Sequence, residues 1–415
     1  MKSRSWLTFV CLVFLSAQAS SATATEWVGT WGAAPLPTGP AFGPGGPPAT
    51  FSNQTIRQVV RISAGGERVR IRFSNEYGAK PLVIGAARVS LVDAHGNGSA
   101  EAGKPVLFGG KPGTTLPAGA PFLSDPIELP VKGLSSLAIS VFFPEDTGGC
   151  TCHAAGMQTA QISDAGDFTS KAFTPKQTMQ ARAFISGVEV ESKTPVKTIV
   201  VLGDSISDGV GSTVDSNHRW PDLLAERLAA RDARSAWGVV NMGISGNRVL
   251  GDGAGVSALA RFDRDVLSVP GVAYVVVFEG VNDLGISYGK FEGPMAERFK
   301  ALVGPNKATA DGIIAAYRQI IARAHAKGVK VVGATIAPYE GAMYYSAEGE
   351  SVRQSINQWI RTGGAFDAVL DFDAAFRDPA KPTQIEAALH AGDHLHGSDV
   401  GYEKVAKSID LAIFK

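Results

Sequence analysis

The sequence has little cysteine, no excess of charge of either sign and no long apolar segment beyond its first 24 residues, and each absence narrows what the protein can be. Its 3 cysteines in 415 residues include no second cluster to complete a zinc site. Its 39 basic and 39 acidic residues balance, so nothing suggests nucleic acid or an anionic membrane surface as a partner. No later segment is long and apolar enough to span a bilayer. A hydrophobic content of 45% suits a soluble globular protein, of about two domains at this length.

Residues 1–24 have the pattern of a secretory signal peptide. Lys2 and Arg4 precede an apolar run, and Ala22-Thr23-Ala24 matches a cleavage site of the A-x-A type. The apolar run is too short for a transmembrane anchor. We therefore expect export to the extracellular space or the periplasm. Cleavage removes Lys2, Arg4 and no acid, which leaves 37 basic and 39 acidic residues and a net charge of −2.

Cleavage also removes Cys11, so Cys150 and Cys152 are the cysteines of the mature chain. In an exported protein this pair can form a small disulfide, with two free thiols as the alternative. Zinc is disfavoured because His153 would complete only three local ligands. We expect His153 to have a structural role, although it could reach the site described below.

Residues 25–192 are predicted to form an all-β, sandwich-like domain. Apolar and basic residues alternate strictly over 69–73, which gives one buried and one solvated face. Similar runs, separated by Gly and Pro, occur at 55–63, 82–92, 137–143 and 182–190. The Gly- and Pro-rich residues 35–48 are expected to form an irregular loop.

From residue 193 onward the pattern changes to alternating strands and helices. Predicted strands cover 198–202, 238–241, 273–278, 329–336 and 368–372, and predicted helices cover 220–230, 309–326, 351–360 and 399–413. Such alternation predicts a parallel sheet covered by helices on both faces. Residues 284–308 are expected to be a long irregular segment beside the site.

Residues suited to ester chemistry follow the strands of this predicted sheet. Ser205 follows the first strand, Gly246 the second and Asn282 the third, while Asp393 and His396 follow the last. Open α/β sheets bind ligands at these strand ends. A serine needs a base such as histidine to become a nucleophile, and a carboxylate can orient that histidine. The N–H groups of Ser205 and Gly246 and the amide of Asn282 could stabilise an oxyanion.

Each of these residues also has a purely structural explanation. Ser205 can cap a helix, Gly246 can serve a turn and Asn282 can cap a loop. Three histidines compete with His396 for the role of base, and spacing does not choose among them: His218, His390 and His394. Two acids are interpreted as acceptors that brace loops rather than as catalysts: Asp204 and Asp283.

Together the patterns resemble the SGNH (GDSL-type) hydrolase family over residues 197–415. Its serine block is Gly203-Asp204-Ser205-Ile206, with Ile206 where leucine is usual. The resemblance implies a flavodoxin-like three-layer α/β/α fold without metal or organic cofactor. It implies Ser205 as nucleophile, His396 as base oriented by Asp393, and Gly246 and Asn282 as oxyanion donors.

The wider chain is similar to a secreted branch of that family with an N-terminal β-domain, members of which are linked to xylan degradation. Four stretches carry this similarity: 30–32, 54–58, 278–283 and 392–396. We therefore expect a carboxylic ester hydrolase that cleaves short O-acyl esters, foremost O-acetyl esters, of polysaccharides or glycosides. The alternatives are a lipase, lysophospholipase or arylesterase, an acyltransferase, or a non-catalytic carbohydrate-binding protein. Several aromatic residues are candidates for stacking on sugar rings: Tyr288, Phe291, Tyr339, Tyr344 and Tyr345.

Overall fold

The structure, a computed structural model, describes residues 26–37, 50–92, 103–194, 196–231, 237–303 and 307–415. The expected signal peptide and most of the expected loop at 35–48 lie outside the described residues. Within these ranges, no helix has the length and apolar character needed to cross a membrane.

The N-terminal region is rich in strands that pair mostly antiparallel. The strands are β1 (Glu26–Gly32), β2 (Gln54–Arg61), β3 (Gly66–Ser74), β4 (Leu82–Ile84), β5 (Ala86–Leu91), β6 (Lys104–Pro105), β7 (Thr114–Leu116), β8 (Pro121–Leu123), β9 (Ile127–Val131), β10 (Ser136–Phe143), β11 (Cys152–His153), β12 (Ala160–Ala165), β13 (Gln177–Met179), β14 (Arg182–Ala183) and β15 (Ile185–Ser192). One sheet has the order β1-β15-β3-β8 with β9 also beside β3, and a second has the order β13-β12-β2-β10-β5-β6. The predicted strand-rich domain is thus confirmed.

The alternation in β3 explains how this domain buries its core. Val69, Ile71 and Phe73 are fully buried, while Arg70 and Arg72 between them stay partly exposed. Because successive side chains of a strand point to opposite faces, the apolar set lies together on the inner face.

The C-terminal region is a parallel sheet with helices between its strands. The strands are β16 (Lys197–Gly203), β17 (Trp237–Gly243), β18 (Val272–Phe278), β19 (Lys330–Ala334) and β20 (Ala368–Leu370). The helices are α1 (Ser205–Asp208), α2 (Trp220–Arg231), α3 (Ala258–Phe262) continued by a π-helical turn (Asp263–Leu267), α4 (Val281–Tyr288), α5 (Gly293–Val303), α6 (Ala310–His325), α7 (Ala347–Thr362), α8 (Phe372–Phe376), α9 (Asp399–Ser408) and a final 3₁₀ turn (Leu411–Ile413). The strand order β17-β16-β18-β19-β20 is the flavodoxin-like order 2-1-3-4-5, as the family resemblance implied.

The central strand and the longest helices form where the sequence pattern is strongest. In β16, the whole run from Ile199 to Leu202 is buried, as expected for a strand covered on both faces. Helix α6 buries one apolar face and begins at Thr309, whose hydroxyl accepts a hydrogen bond from the Gly312 N–H at 3.1 Å.

The expectation of an irregular segment at 284–308 is wrong, because α4 and α5 occupy most of it. Helix α4 ends at Gly289, and α5 begins at Gly293 beside Pro294. In the structure, a short stretch from Gly289 to Glu292 separates these two helices.

The β-domain covers the outer edge of the parallel sheet. Strand β17 lies at that edge, and β1 packs against it so closely that a Cβ at Gly238 would lie 2.1 Å from the Gly29 carbonyl oxygen. The Val239 N–H donates to the Ser63 hydroxyl at 2.7 Å, and the Gly29 N–H donates to the Pro270 carbonyl at 2.9 Å. An edge strand that would otherwise expose backbone donors is therefore capped by the other domain. The proposed boundary at 192/193 falls between β15 and β16.

Candidate active site

Ser205 lies where β16 turns sharply into α1. A Cβ at Gly203 would lie 2.2 Å from the Ser207 hydroxyl oxygen, so the turn accepts only glycine at this position. The Asp204 carboxylate accepts the Ile206 N–H at 2.9 Å and caps α1. Ser205 therefore begins a helix at the carboxyl end of the sheet, with only 5% of its surface exposed.

Ser205, His396 and Asp393 form a continuous hydrogen-bonded chain. The Nε2 atom of His396 lies 2.8 Å from the Ser205 Oγ, and its Nδ1 lies 2.5 Å from Asp393 Oδ2. Because a carboxylate only accepts, Nδ1 carries the proton and Nε2 is left to accept the serine hydroxyl proton. This tautomer is the one that a general base requires.

Asp393 is itself held in place by the loop that carries it. Its second oxygen accepts the N–H groups of Leu395 and His396, at 3.0 and 2.9 Å. Partial burial raises the pKa of Asp393, but the hydrogen bonds from His396 and the backbone outweigh it and hold the pKa well below its usual range. Asp393 is therefore a carboxylate whenever the imidazole has to be oriented.

The Gly246 N–H is presented by a tight turn after β17. The Asn247 N–H donates to the Ile244 carbonyl at 3.0 Å, and Gly246 between them has φ 81°, a left-handed conformation that favours glycine. Among the described residues, the N–H groups of Gly246 and Ser205 have no hydrogen-bond acceptor. Both are therefore available for a developing oxyanion.

The Asn282 side chain has a fixed orientation. Its Nδ2 donates to the Asn247 carbonyl at 3.0 Å, and its Oδ1 accepts the Tyr344 hydroxyl at 3.2 Å. Since a carbonyl oxygen can only accept, the amide nitrogen must face Asn247. The second N–H of the amide has no acceptor in the described structure, so it can serve as a third oxyanion donor.

Buried acids lie beneath these strand ends. Burial raises the pKa of Asp204 to about 7 and that of Asp283 to about 6. Asp283 accepts the N–H groups of Val249 and Leu250 at 2.7 and 3.0 Å, and it braces the loop as predicted. Burial also raises the pKa of Glu279 well above its usual range, and the charges of Asp204 and Asp283 raise it further.

A fully buried arginine connects three strand ends. Arg261 donates to the carbonyls of Gly203 and Met242 at 3.1 and 2.6 Å, and to Glu279 at 3.3 Å. It also donates to the Asn247 side chain at 3.0 Å. Arg261 therefore ties the ends of β16, β17 and β18, which carry the serine, the glycine turn and the asparagine.

The competing histidines do not contact Ser205. His218 lies 3.4 Å from Asp399, and the rings of His390 and His394 contact each other at an angle of 33°, with their centroids 4.3 Å apart. In the described residues, no cluster of three or more His, Cys, Asp or Glu side chains could hold a metal ion.

The family model for GDSL-like lipases and acylhydrolases matches residues 201–404, a range that contains every residue of this constellation. The matched domain belongs to the GDSL-like lipase/acylhydrolase family. The protein is therefore a carboxylic ester hydrolase, as predicted. No curated protein matches the chain.

Several solved structures each match about half of this chain. A lipase/acylhydrolase from Enterococcus faecalis is 20% identical over 51% of this chain and 92% of its own, with a TM-score of 0.37. An acetyl xylan esterase from Geobacillus stearothermophilus is 22% identical over 52% and 94%, with a TM-score of 0.37. A GDSL-like lipase from Bacteroides thetaiotaomicron is 18% identical over 52% and 87%, with a TM-score of 0.38. At these values the likeness carries no argument about activity or substrate.

The acylhydrolase structure brings all five predicted site residues to one edge of its sheet, and their catalytic roles stay predictions. Sequence reasoning missed Arg261, whose helix gave no sign that its side chain points to the strand ends. It also named Tyr339 and Tyr344 among the candidates for sugar stacking, but both are buried, with 0% and 7% of their surface exposed. Tyr344 instead orients Asn282.

Proposed function

We propose that the protein is an exported serine esterase that removes short O-acyl groups, foremost acetyl groups, from polysaccharide or glycoside esters. The chain of hydrogen bonds from Ser205 through His396 to Asp393 carries this proposal. Export is supported by the pattern of residues 1–24 and by the disulfide between Cys150 and Cys152, a bond typical of oxidising compartments.

The proposed reaction follows from this geometry. The Ser205 oxygen attacks the acyl carbon while His396 Nε2 takes the hydroxyl proton, and the carbonyl oxygen becomes an oxyanion that faces Gly246 and Asn282. The carbon–alkoxy bond then breaks, and His396 returns the proton to the leaving alcohol. Water attacks the acyl-serine with His396 again as base, which releases the acid and restores the serine.

The preference for short acyl groups is supported by how few large apolar side chains are exposed in the described segments that contact Asn282 or Asp283. Leu250 and Met343 are 40% and 68% exposed. The Leu250 N–H donates to Asp283, and Met343 directly precedes Tyr344, which contacts Asn282. Two such side chains are too few to line a groove for a long acyl chain. Each further CH₂ adds about 0.8 kcal/mol, or about fourfold in kcat/KM, only where an apolar groove receives it.

The catalytic part of the proposal is tested with the Ser205→Ala, His396→Ala and double variants. Each single variant should lose most turnover of p-nitrophenyl acetate, and the double variant should be little worse, because the residues act as a unit. His325→Ala is a matched control, since His325 contacts Asp367 at 2.7 Å in a similar pair away from Ser205. Wild-type turnover by Ser205→Ala would refute the mechanism.

The substrate part is tested with p-nitrophenyl esters from acetyl to octanoyl and with acetylated xylan, with Ser205→Ala as the blank. We expect activity to fall along the ester series and acetate to be released from xylan. A maximum at octanoyl without acetate release from any glycan would assign the protein to the lipases instead.

A further inference from the structure

His153 of the β-domain contacts Asp208 of the catalytic domain, which lies three residues after Ser205 in the sequence. His153 Nε2 lies 2.8 Å from Asp208 Oδ1, and both side chains are almost fully buried, with 5% and 2% of their surface exposed. Strand β11 fixes the position of His153: Cys152 exchanges two backbone hydrogen bonds with Leu36, and a disulfide joins it to Cys150.

Both ring nitrogens of His153 face acceptors. Nδ1 lies 3.0 Å from the Ala34 carbonyl oxygen, and Nε2 faces the Asp208 carboxylate. Since neither partner has a proton to donate when Asp208 is ionised, both nitrogens donate and the ring is an imidazolium. Burial lowers the pKa of His153, but the charge and hydrogen bond of Asp208 and the Ala34 carbonyl raise it above its usual value.

Asp208 also contacts the turn 244–247 that presents the Gly246 N–H, here called the oxyanion turn. Its other oxygen accepts the Ser245 N–H at 2.9 Å and the Ser245 hydroxyl at 2.7 Å. Ser245 directly precedes Gly246, and Asp208 ends the helix that Ser205 begins. One carboxylate therefore fixes the turn that presents the Gly246 N–H relative to the helix that presents the Ser205 oxygen.

We propose that His153 is a positioning residue, supplied by the β-domain, which holds Asp208 and through it the Ser245–Gly246 turn in the geometry that stabilises the oxyanion. The inference rests on the proposed function. It gives the β-domain a part in turnover in addition to covering the edge of the sheet, since displacement of reacting groups by about 1 Å can lower rates about 100-fold.

Two substitutions of His153 separate positioning from packing. The amide nitrogen of His153→Gln can occupy the place of Nε2 and still donate to Asp208, whereas that of His153→Asn lies at the place of Nδ1 and reaches only Ala34. Arg61→Gln is the control: Arg61 makes an ion pair with Glu226 at 2.7 Å across the same domain interface, away from the oxyanion turn. The measurements are kcat and KM on p-nitrophenyl acetate and the urea midpoint of each full-length variant, with Ser205→Ala as the blank.

We expect His153→Asn to lower kcat by about 10- to 100-fold with KM unchanged, and His153→Gln to restore most of that loss. Equal kcat for the Asn and Gln variants, or a loss no larger than that of Arg61→Gln, would overturn the proposal. If His153→Asn does not fold, Ser245→Ala removes one of the two hydrogen bonds by which Asp208 holds the turn, and an unchanged kcat in that variant also overturns the proposal. Activity that survives in Ser205→Ala would instead refute the proposed function.

Discussion

The Asn282 amide provides the sharpest test of the oxyanion site. Hydrogen bonds fix both its nitrogen and its oxygen, and they leave one N–H of the amide free to face the site. Replacement by alanine removes the free N–H that faces the site. Loss of one such donor typically lowers kcat about 100- to 1000-fold, which is about 2.7–4 kcal/mol of transition-state stabilisation. Because this contact forms only as the oxyanion develops, KM should stay unchanged.

The same substitution also has a structural cost that must be separated from catalysis. It leaves the Asn247 carbonyl and the Tyr344 hydroxyl without their partner, which costs about 1–3 kcal/mol of stability when such groups are buried. Asn357→Ala is the matched control, because Asn357 is fully buried and makes two hydrogen bonds with the backbone of Ile336, both of 2.8 Å. It should lose stability but keep kcat.

The assay is steady-state hydrolysis of p-nitrophenyl acetate below the unfolding range of each variant, with urea denaturation measured in parallel. A large loss of kcat in Asn282→Ala alone supports the oxyanion role. A change confined to KM would reassign Asn282 to substrate binding, and an equal loss of kcat in Asn357→Ala would attribute the effect to stability.

Three further predictions follow from the buried contacts. Burial raises the pKa of Asp204 to about 7, so its stabilising contribution is complete below about pH 4 and is lost as the pH rises through about 7. Asp204→Asn should therefore flatten this part of a plot of melting temperature against pH. An unchanged plot would contradict the assignment. Ser63→Ala leaves the buried Val239 N–H without an acceptor and should lower the free energy of unfolding by about 1–3 kcal/mol. Urea denaturation measures this change. An unchanged free energy of unfolding would show that water replaces the Ser63 hydroxyl. The unreduced protein should be lighter by two hydrogens per molecule in mass spectrometry because Cys150 and Cys152 are joined, whereas alkylation of both without reductant would refute the bond.

The local pattern of the sequence determined the elements and the chemistry of the site. The strict alternation in β3 and the apolar face of α6 predicted their elements, because burial of one face imposes a period of 2 on strands and of 3.6 on helices. The continuous apolar run of β16 predicted a strand that is buried on both faces. The short patterns at Ser205, Gly246, Asn282 and the Asp393–His396 pair predicted the site, because the carboxyl ends of parallel strands meet at one edge. The expectation of an irregular segment at 284–308 failed where the short helices α4 and α5 form.

Only the tertiary structure decided which residues hold that chemistry in place. The residues that support the site lie far apart in the sequence: Arg261, Tyr344, and His153 with Asp208. Their positions follow no helical or strand periodicity. The family resemblance implied His396 as base, and the structure places its Nε2 2.8 Å from the Ser205 Oγ across 191 residues. Contacts between residues far apart in the sequence produce no periodic pattern in it. The contacts that hold the catalytic residues in place can therefore be identified only from the folded structure.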